Sequence, residues 1–111
     1  MLIAQSTHAQ DDAQSVTTAC QASLREIVFW CVTASQAKTP IASPIKQENN
    51  CRDAKQRSDR YCYPLQLPQL GCTSALQEME IWCGGKAKFN LTEIVNYCEQ
   101  SQRKVRAFCY R

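Results

Sequence analysis

Apolar residues recur at helical spacing along three stretches of this chain and only sparsely along a fourth. In the first, Cys20, Leu24, Ile27, Val28 and Cys31 share one face of a helix. In the third, Cys72, Leu76, Met79 and Cys83 do the same, with Ala75 and Trp82 beside them. In the fourth, Leu91, Ile94, Val95, Cys98, Val105, Phe108 and Cys109 form a stripe. The second, Asn50 to Tyr61, is mostly polar, and only Cys51, Ala54, Ser58 and Cys62 make its inner face. Such a helix has to depend on cross-links more than the others. Asn90 with Glu93 reads as a capping box, and Gly84-Gly85 as a helix stop.

The connectors fit four helices in two pairs. Residues 33–48, with Pro40 and Pro44, form one hairpin loop, and residues 84–90 the other. Tyr63-Pro64-Leu65-Gln66-Leu67-Pro68-Gln69-Leu70-Gly71 lies between the pairs; its prolines break helices and its leucines are available to pack between hairpins. The plan is a polar N-terminal tail over 1–15, a hairpin over 16–63, a linker over 64–71 and a second hairpin over 72–111. The tail reads as a flexible segment or an extended arm. The longest apolar run, Ile27 to Val32, is too short to span a bilayer.

The cysteines make the pattern specific. They stand at 20, 31, 51, 62, 72, 83, 98 and 109, giving four C-x10-C pairs in two tandem sets. A step of 11 residues at ~100° each is roughly 20° beyond three helical turns, so both cysteines of a pair share a face about 16 Å apart. Two such helices packed antiparallel can be tied at both ends. Eight cysteines allow 105 full pairings. The hairpin geometry selects Cys20–Cys62 with Cys31–Cys51, and Cys72–Cys109 with Cys83–Cys98. Each bridge contributes ~3 kcal/mol in the chain-entropy account. The fold class is therefore all-α: two tandem, disulfide-clamped, antiparallel helical hairpins.

Composition narrows the chemistry. The chain has 111 residues, 44% of them apolar when its 8 cysteines are counted; without them the share falls to roughly 37%, thin for a deep core, which leaves stability to the cross-links. No C-x2-4-C spacing suits zinc, no C-x-x-C suits a redox pair or a common iron–sulfur site, and no adjacent cysteines suit copper carriage. The single histidine, His8, is a poor partner for a catalytic cysteine. No catalytic group, cofactor or metal is expected. Net charge is +3. Residues 46–61 carry five basic and three acidic groups, and residues 86–111 six and two. The segment around Glu78 and Glu80 is acidic. These read as solvated helix faces, with Asp53 beside Lys55 and Arg57, and Glu99 beside Arg103, as ordinary surface pairs. No basic patch is interleaved with stacking aromatics, so nucleic acid is not an expected partner.

Four bridges imply an oxidising compartment, yet Met1 to His8 reads as neither a secretory signal nor a matrix presequence, so neither route is expected. Taken with the ladder, this resembles the coiled-coil-helix–coiled-coil-helix (CHCH) family, the twin C-x9-C proteins of the mitochondrial intermembrane space. The resemblance covers residues 20–109. It includes the aromatic before three closing cysteines, in Phe29-Trp30-Cys31, Ile81-Trp82-Cys83 and Ala107-Phe108-Cys109. All four spacings here are x10, where the family mostly shows x9, and the loop from Cys31 to Cys51 is long.

The resemblance implies a location in the intermembrane space, peripheral on the inner membrane, reached through a disulfide-relay import oxidase as a transient partner. For that oxidase Leu24, Ile27 and Val28 would be the docking stripe, later becoming core. Two tandem units resemble members that serve as accessory subunits of respiratory complex I. The implied role is a non-catalytic scaffold among subunits of a large inner-membrane complex, with Trp30, Trp82, Tyr63 and Tyr110 as anchors or as hairpin core. Three further readings stand beside it. One is a subunit of another mitochondrial assembly: cytochrome c oxidase, ATP synthase or the ribosome. The second is a free assembly factor, which would need reduced thiols. The third is a secreted helical disulfide protein, for which Asn90-Leu91-Thr92 is a glycosylation sequon.

Overall fold

Alanine and glutamine dominate the start of the chain, with no proline or glycine before residue 40, and helix α1 runs Leu2–Ile27. The computed structural model describes residues 2–110, with side chains from Ala13 onward. Residues 2–15, expected as a tail, thus belong to α1. The helix then widens into a π turn over Val28–Thr33, where the Ala34 N–H reaches back to the Phe29 carbonyl. Ser35 Oγ donates to the Cys31 and Val32 carbonyls at 3.0 and 2.8 Å, satisfying groups that the changed register frees. A single turn, α2 (Ala34–Gln36), ends this first rod.

Helix α3 spans Pro44–Tyr61 and so begins well before Asn50. The proline expected to lie in a loop is the first helical residue, where its missing N–H costs nothing. Ser43 caps the end by accepting the Lys46 N–H at 3.2 Å. Helix α4 (Pro68–Cys83) uses Pro68 in the same way, which takes the end of the linker into the helix. Helix α5 runs Leu91–Cys109, with Asn90 accepting the Glu93 N–H at 3.2 Å. Gly84 closes α4, and Gly85 follows with φ of 74°, a backbone that side-chain-bearing residues resist.

All described elements are helical, and they pair as two antiparallel hairpins. Cys20–Cys62 and Cys31–Cys51 tie the first rod to α3, with Cα–Cα separations of 4.8 and 5.0 Å. Cys72–Cys109 and Cys83–Cys98 tie α4 to α5, at 4.8 and 4.9 Å. This is the arrangement of a CHCH-type fold, in duplicate.

The two hairpins share one core. Ile27, Cys31, Cys51 and Ala54 from the first meet Ile81, Trp82, Ala87 and Ile94 from the second. The face that α4 buries is Gly71, Ser74, Ala75, Glu78, Ile81 and Trp82, a regular i, i+3, i+4, i+7 stripe. It is rotated from the cysteine-bearing face expected to be the inner one, and Leu76 on that face is 48% exposed. Leu91 and Val95 of the expected α5 stripe are exposed too, while Ile94, Ser101 and Val105 are buried. Hairpin packing thus runs through small side chains, Ser23, Ala54, Ser58, Ser74, Ala75 and Ser101, which let the helices approach closely. The linker leucines divide likewise: Leu65 is exposed, and Leu67 and Leu70 are half-buried.

Gly71 shows how tight the packing is. A Cβ there would overlap the Phe108 ring, which itself lies against Tyr63 with centroids 5.2 Å apart. Gly71→Ala should lower stability by about 1–3 kcal/mol through overpacking, measured by denaturant unfolding with all bridges intact.

The bridges differ in surroundings. Cys20, Cys31, Cys51 and Cys62 are at most 1% exposed, whereas Cys83 is exposed and Cys72, Cys98 and Cys109 are half-buried. Cys51→Ser leaves a hydroxyl and a free thiol in the core; Cys83→Ser leaves its hydroxyl in solvent. Thermal unfolding should find Cys51→Ser the less stable of the two by about 1–3 kcal/mol, the cost of unpartnered buried polar groups.

Candidate functional site

Two features stand out on this scaffold: a carboxylate sealed between the hairpins, and an apolar groove open beside it. The carboxylate is Glu78, on the inward stripe of α4 and 1% exposed. Ser58 of α3 donates to its Oε1 at 3.0 Å, and the Tyr63 hydroxyl donates to Oε2. Lys104 Nζ of α5 lies 3.6 Å from the same oxygen and 4.3 Å from the Tyr63 ring centroid. A buried carboxylate so supplied recovers much of its lost hydration.

The network continues along α3. Lys104 also pairs with Asp59, which accepts from Lys55 Nζ at 2.7 Å. Lys55 is itself buried, donates to Gln100 of α5 and lies 4.6 Å over the Tyr97 ring. One turn earlier, Arg52 Nε donates to both Glu93 oxygens at 2.8 and 3.0 Å. Glu93 therefore spends its side chain on α3, so the expected capping box is present only in its Asn90 half. Arg57 pairs across its own hairpin with Glu26 of α1. Lys55 thus pairs with Asp59 of its own helix and Arg57 with Glu26, in place of the expected Asp53.

Burial first, and then the adjacent Glu78, pushes the Tyr63 hydroxyl well above its ordinary pKa of 10.0. Burial does the same, more mildly, to Tyr97. Glu78 is enclosed by three donors, so its chemistry is to hold the hairpins in register.

The groove lies between the first rod and α4. Leu24, Val28, Val32 and Ile81 form its apolar lining, and Gln21, Arg25, Gln77, Glu80 and Lys86 its rim, around about 580 Å³. The Lys86 ammonium is 2.6 Å from Glu80 across that rim. The π turn supplies Val28 and Val32 to the lining.

The expected docking stripe is therefore split: Leu24 and Val28 line the groove, whereas Ile27 is fully buried in the core. Of the expected anchors, Trp82 is core, with its ring 4.9 Å from Tyr97 and 6.3 Å from Phe89. Its Nε1 has no hydrogen-bond partner among the described residues. Tyr63 serves Glu78, and Trp30 is half-buried against Phe29 at 4.8 Å. Tyr110 alone of the four is open to solvent, at 77%. All eight cysteines are in bridges, and no three metal-ligating side chains cluster among the described residues. His8 lies outside the residues whose side chains are described. No described helix is long and apolar enough to cross a membrane.

Sequence reading missed Glu78 and the groove. The available signal for Glu78 was its place four residues after Ser74 and three before Ile81, on a stripe otherwise small or apolar. Comparison with protein-family models, curated proteins and solved structures gives no match.

Tyr63→Phe removes one donor to Glu78 and should cost about 1.5–3 kcal/mol at neutral pH. Because the folded state favours the neutral hydroxyl, its contribution is whole well below pH 10, the midpoint at which the unfolded tyrosine ionises, and is lost as pH rises through and beyond that point. Urea unfolding at pH 8 and pH 11 should show the gap between wild type and Tyr63→Phe narrowing at the higher pH.

Proposed function

We propose that the chain is a CHCH-family protein acting as a non-catalytic structural accessory subunit on the intermembrane-space side of mitochondrial respiratory complex I. The observation that carries this reading is the pair of helical hairpins, each clamped at both ends and locked onto one core. Cross-linking of this kind suits a brace whose shape must survive contact with larger subunits. The groove of Leu24, Val28, Val32 and Ile81 supports it, since an open apolar surface with a polar rim is what a neighbouring subunit covers. Leu24 and Val28 also suit the import oxidase before folding is complete, and the subunit is peripheral on the inner membrane.

The test is native-gel fractionation of gently solubilised mitochondria from the source cells, with mass spectrometry of each slice. The chain should track NADH dehydrogenase activity through every slice. Migration with cytochrome c oxidase, ATP synthase or the ribosome keeps the structural role and overturns the complex I assignment. Migration free at low mass overturns the subunit role altogether.

A further inference from the structure

The cystines of this protein are not chemically equivalent, and the difference follows from how the hairpins stack. The first hairpin turns its sulfurs inward: Cys20, Cys31, Cys51 and Cys62 are at most 1% exposed, and Ser74 of α4 donates to Cys20 Sγ at 3.2 Å. The second hairpin turns a different face of α4 inward, the Gly71–Ser74–Glu78–Trp82 stripe, which leaves its own sulfurs toward the edge. Cys83 is the one cysteine of the eight that is exposed. It is the last residue of α4, and Gly84 and Gly85 follow it, so no side chain from its next two neighbours shields it. The loop beyond carries exposed Lys88 and exposed Lys86, the latter paired with Glu80 one turn before Cys83.

Thiol–disulfide exchange needs a thiolate to reach a sulfur in line with the S–S bond, so access decides which bridge reacts. We propose that Cys83–Cys98 is a thiol-exchange site for small anionic thiolates of the glutathione kind, while the other three bridges are inert in the folded protein. The thiolate attacks Cys83 Sγ and forms a mixed disulfide there. The Cys83–Cys98 bond breaks, and its electron pair leaves on Cys98 as a thiolate that water can protonate. A second thiolate attacking the mixed disulfide would release Cys83 as a thiol and form the oxidised dimer of the small thiol, so electrons balance without any other reductant.

The location gives the reaction a consequence. Cys83 and Cys98 close the end of the second hairpin from which Lys86 reaches the groove rim and Ala87 and Phe89 enter or border the core. Exchange would unclip α4 from α5 at that end while Cys72–Cys109 holds the other. The groove wall built from Glu80 and Ile81 would then rest on packing alone.

The experiment treats the oxidised full chain with increasing reduced glutathione under native conditions, quenches with a thiol alkylator and maps every cysteine by peptide mass spectrometry. Circular dichroism of the same samples reports the fold. Glutathione adducts on Cys83 and alkylation of Cys98 should appear about ten-fold faster than modification of any other cysteine, with helicity retained, because the first hairpin's bridges must await local opening and neither sulfur-bearing residue of Cys72–Cys109 is exposed. A double variant, Cys83→Ser with Cys98→Ser, should take up no glutathione over the same range. Reaction of Cys72–Cys109 at a similar rate, adducts on Cys98 in place of Cys83, or modification only as helicity collapses would each overturn the proposal. The mapping on the wild-type chain decides the matter even if the double variant does not fold.

Discussion

Helix α3 has too little apolar surface to hold itself on the protein, and that shortage organises the rest of the molecule. Over Pro44–Tyr61 its buried side chains are Cys51, Ala54, Lys55 and Ser58, and its one large aliphatic residue, Ile45, is 73% exposed. A helix of that composition gains almost nothing from burial and is marginal in isolation. It is kept in place by covalent bonds to the first rod and by directed polar bonds to the second hairpin. The two bridges act at its middle, Cys51, and at its C-terminal end, Cys62, and reduce the freedom of the unfolded chain. The polar contacts act between them, through Arg52, Lys55, Ser58 and Asp59.

The same shortage explains the small-residue seam. With few large apolar groups on α3, the space between it and the second hairpin is filled by serine, alanine and polar side chains. That seam encloses Glu78, which must therefore be fully supplied with donors. Ser58, Tyr63 and Lys104 come from α3, the linker and α5, so one carboxylate reports on the placement of three segments at once. A slip in hairpin register would leave it unpaired, which makes Glu78 a determinant of which packing is allowed more than a source of net stability.

This division also accounts for what could be read from the chain directly. The helices and their cross-linking follow from an 11-residue step, which is a property of helix geometry and needs no tertiary information. The starts of α3 and α4 lay further upstream because Pro44 and Pro68 serve as first helical residues, a role indistinguishable in sequence from helix breaking. The π turn depends on hydrogen-bond register, to which Val28–Thr33 gives no compositional clue. The inner face of α4 was hidden for a different reason. Cystines suggest a core-facing side, but a hairpin bridge joins two helices along their common edge, and the side facing a second hairpin is rotated away from it. Gly71, Ser74, Ala75 and Glu78 form that side, and its burial depends on partners distant in sequence, such as Ser58 for Glu78, 20 residues away, and Cys20 for Ser74, 54 residues away.

That rotation ties structure to the proposed role. By turning its cystines to the edge, the second hairpin places Ile81 and Glu80 beside the first rod, and the crevice left between them becomes the groove. Its lining comes from both hairpins, so its shape is set by their relative position and not by either alone. The position is set in turn by Glu78 and the α3 ladder. A surface made in this way is rigid only while the inter-hairpin contacts hold; the sealed carboxylate and the polar bonds from α3 make them hold, while the four bridges keep each hairpin intact. For a scaffold subunit that is the needed property: a docking surface of fixed geometry on a chain too short to fix it by hydrophobic burial.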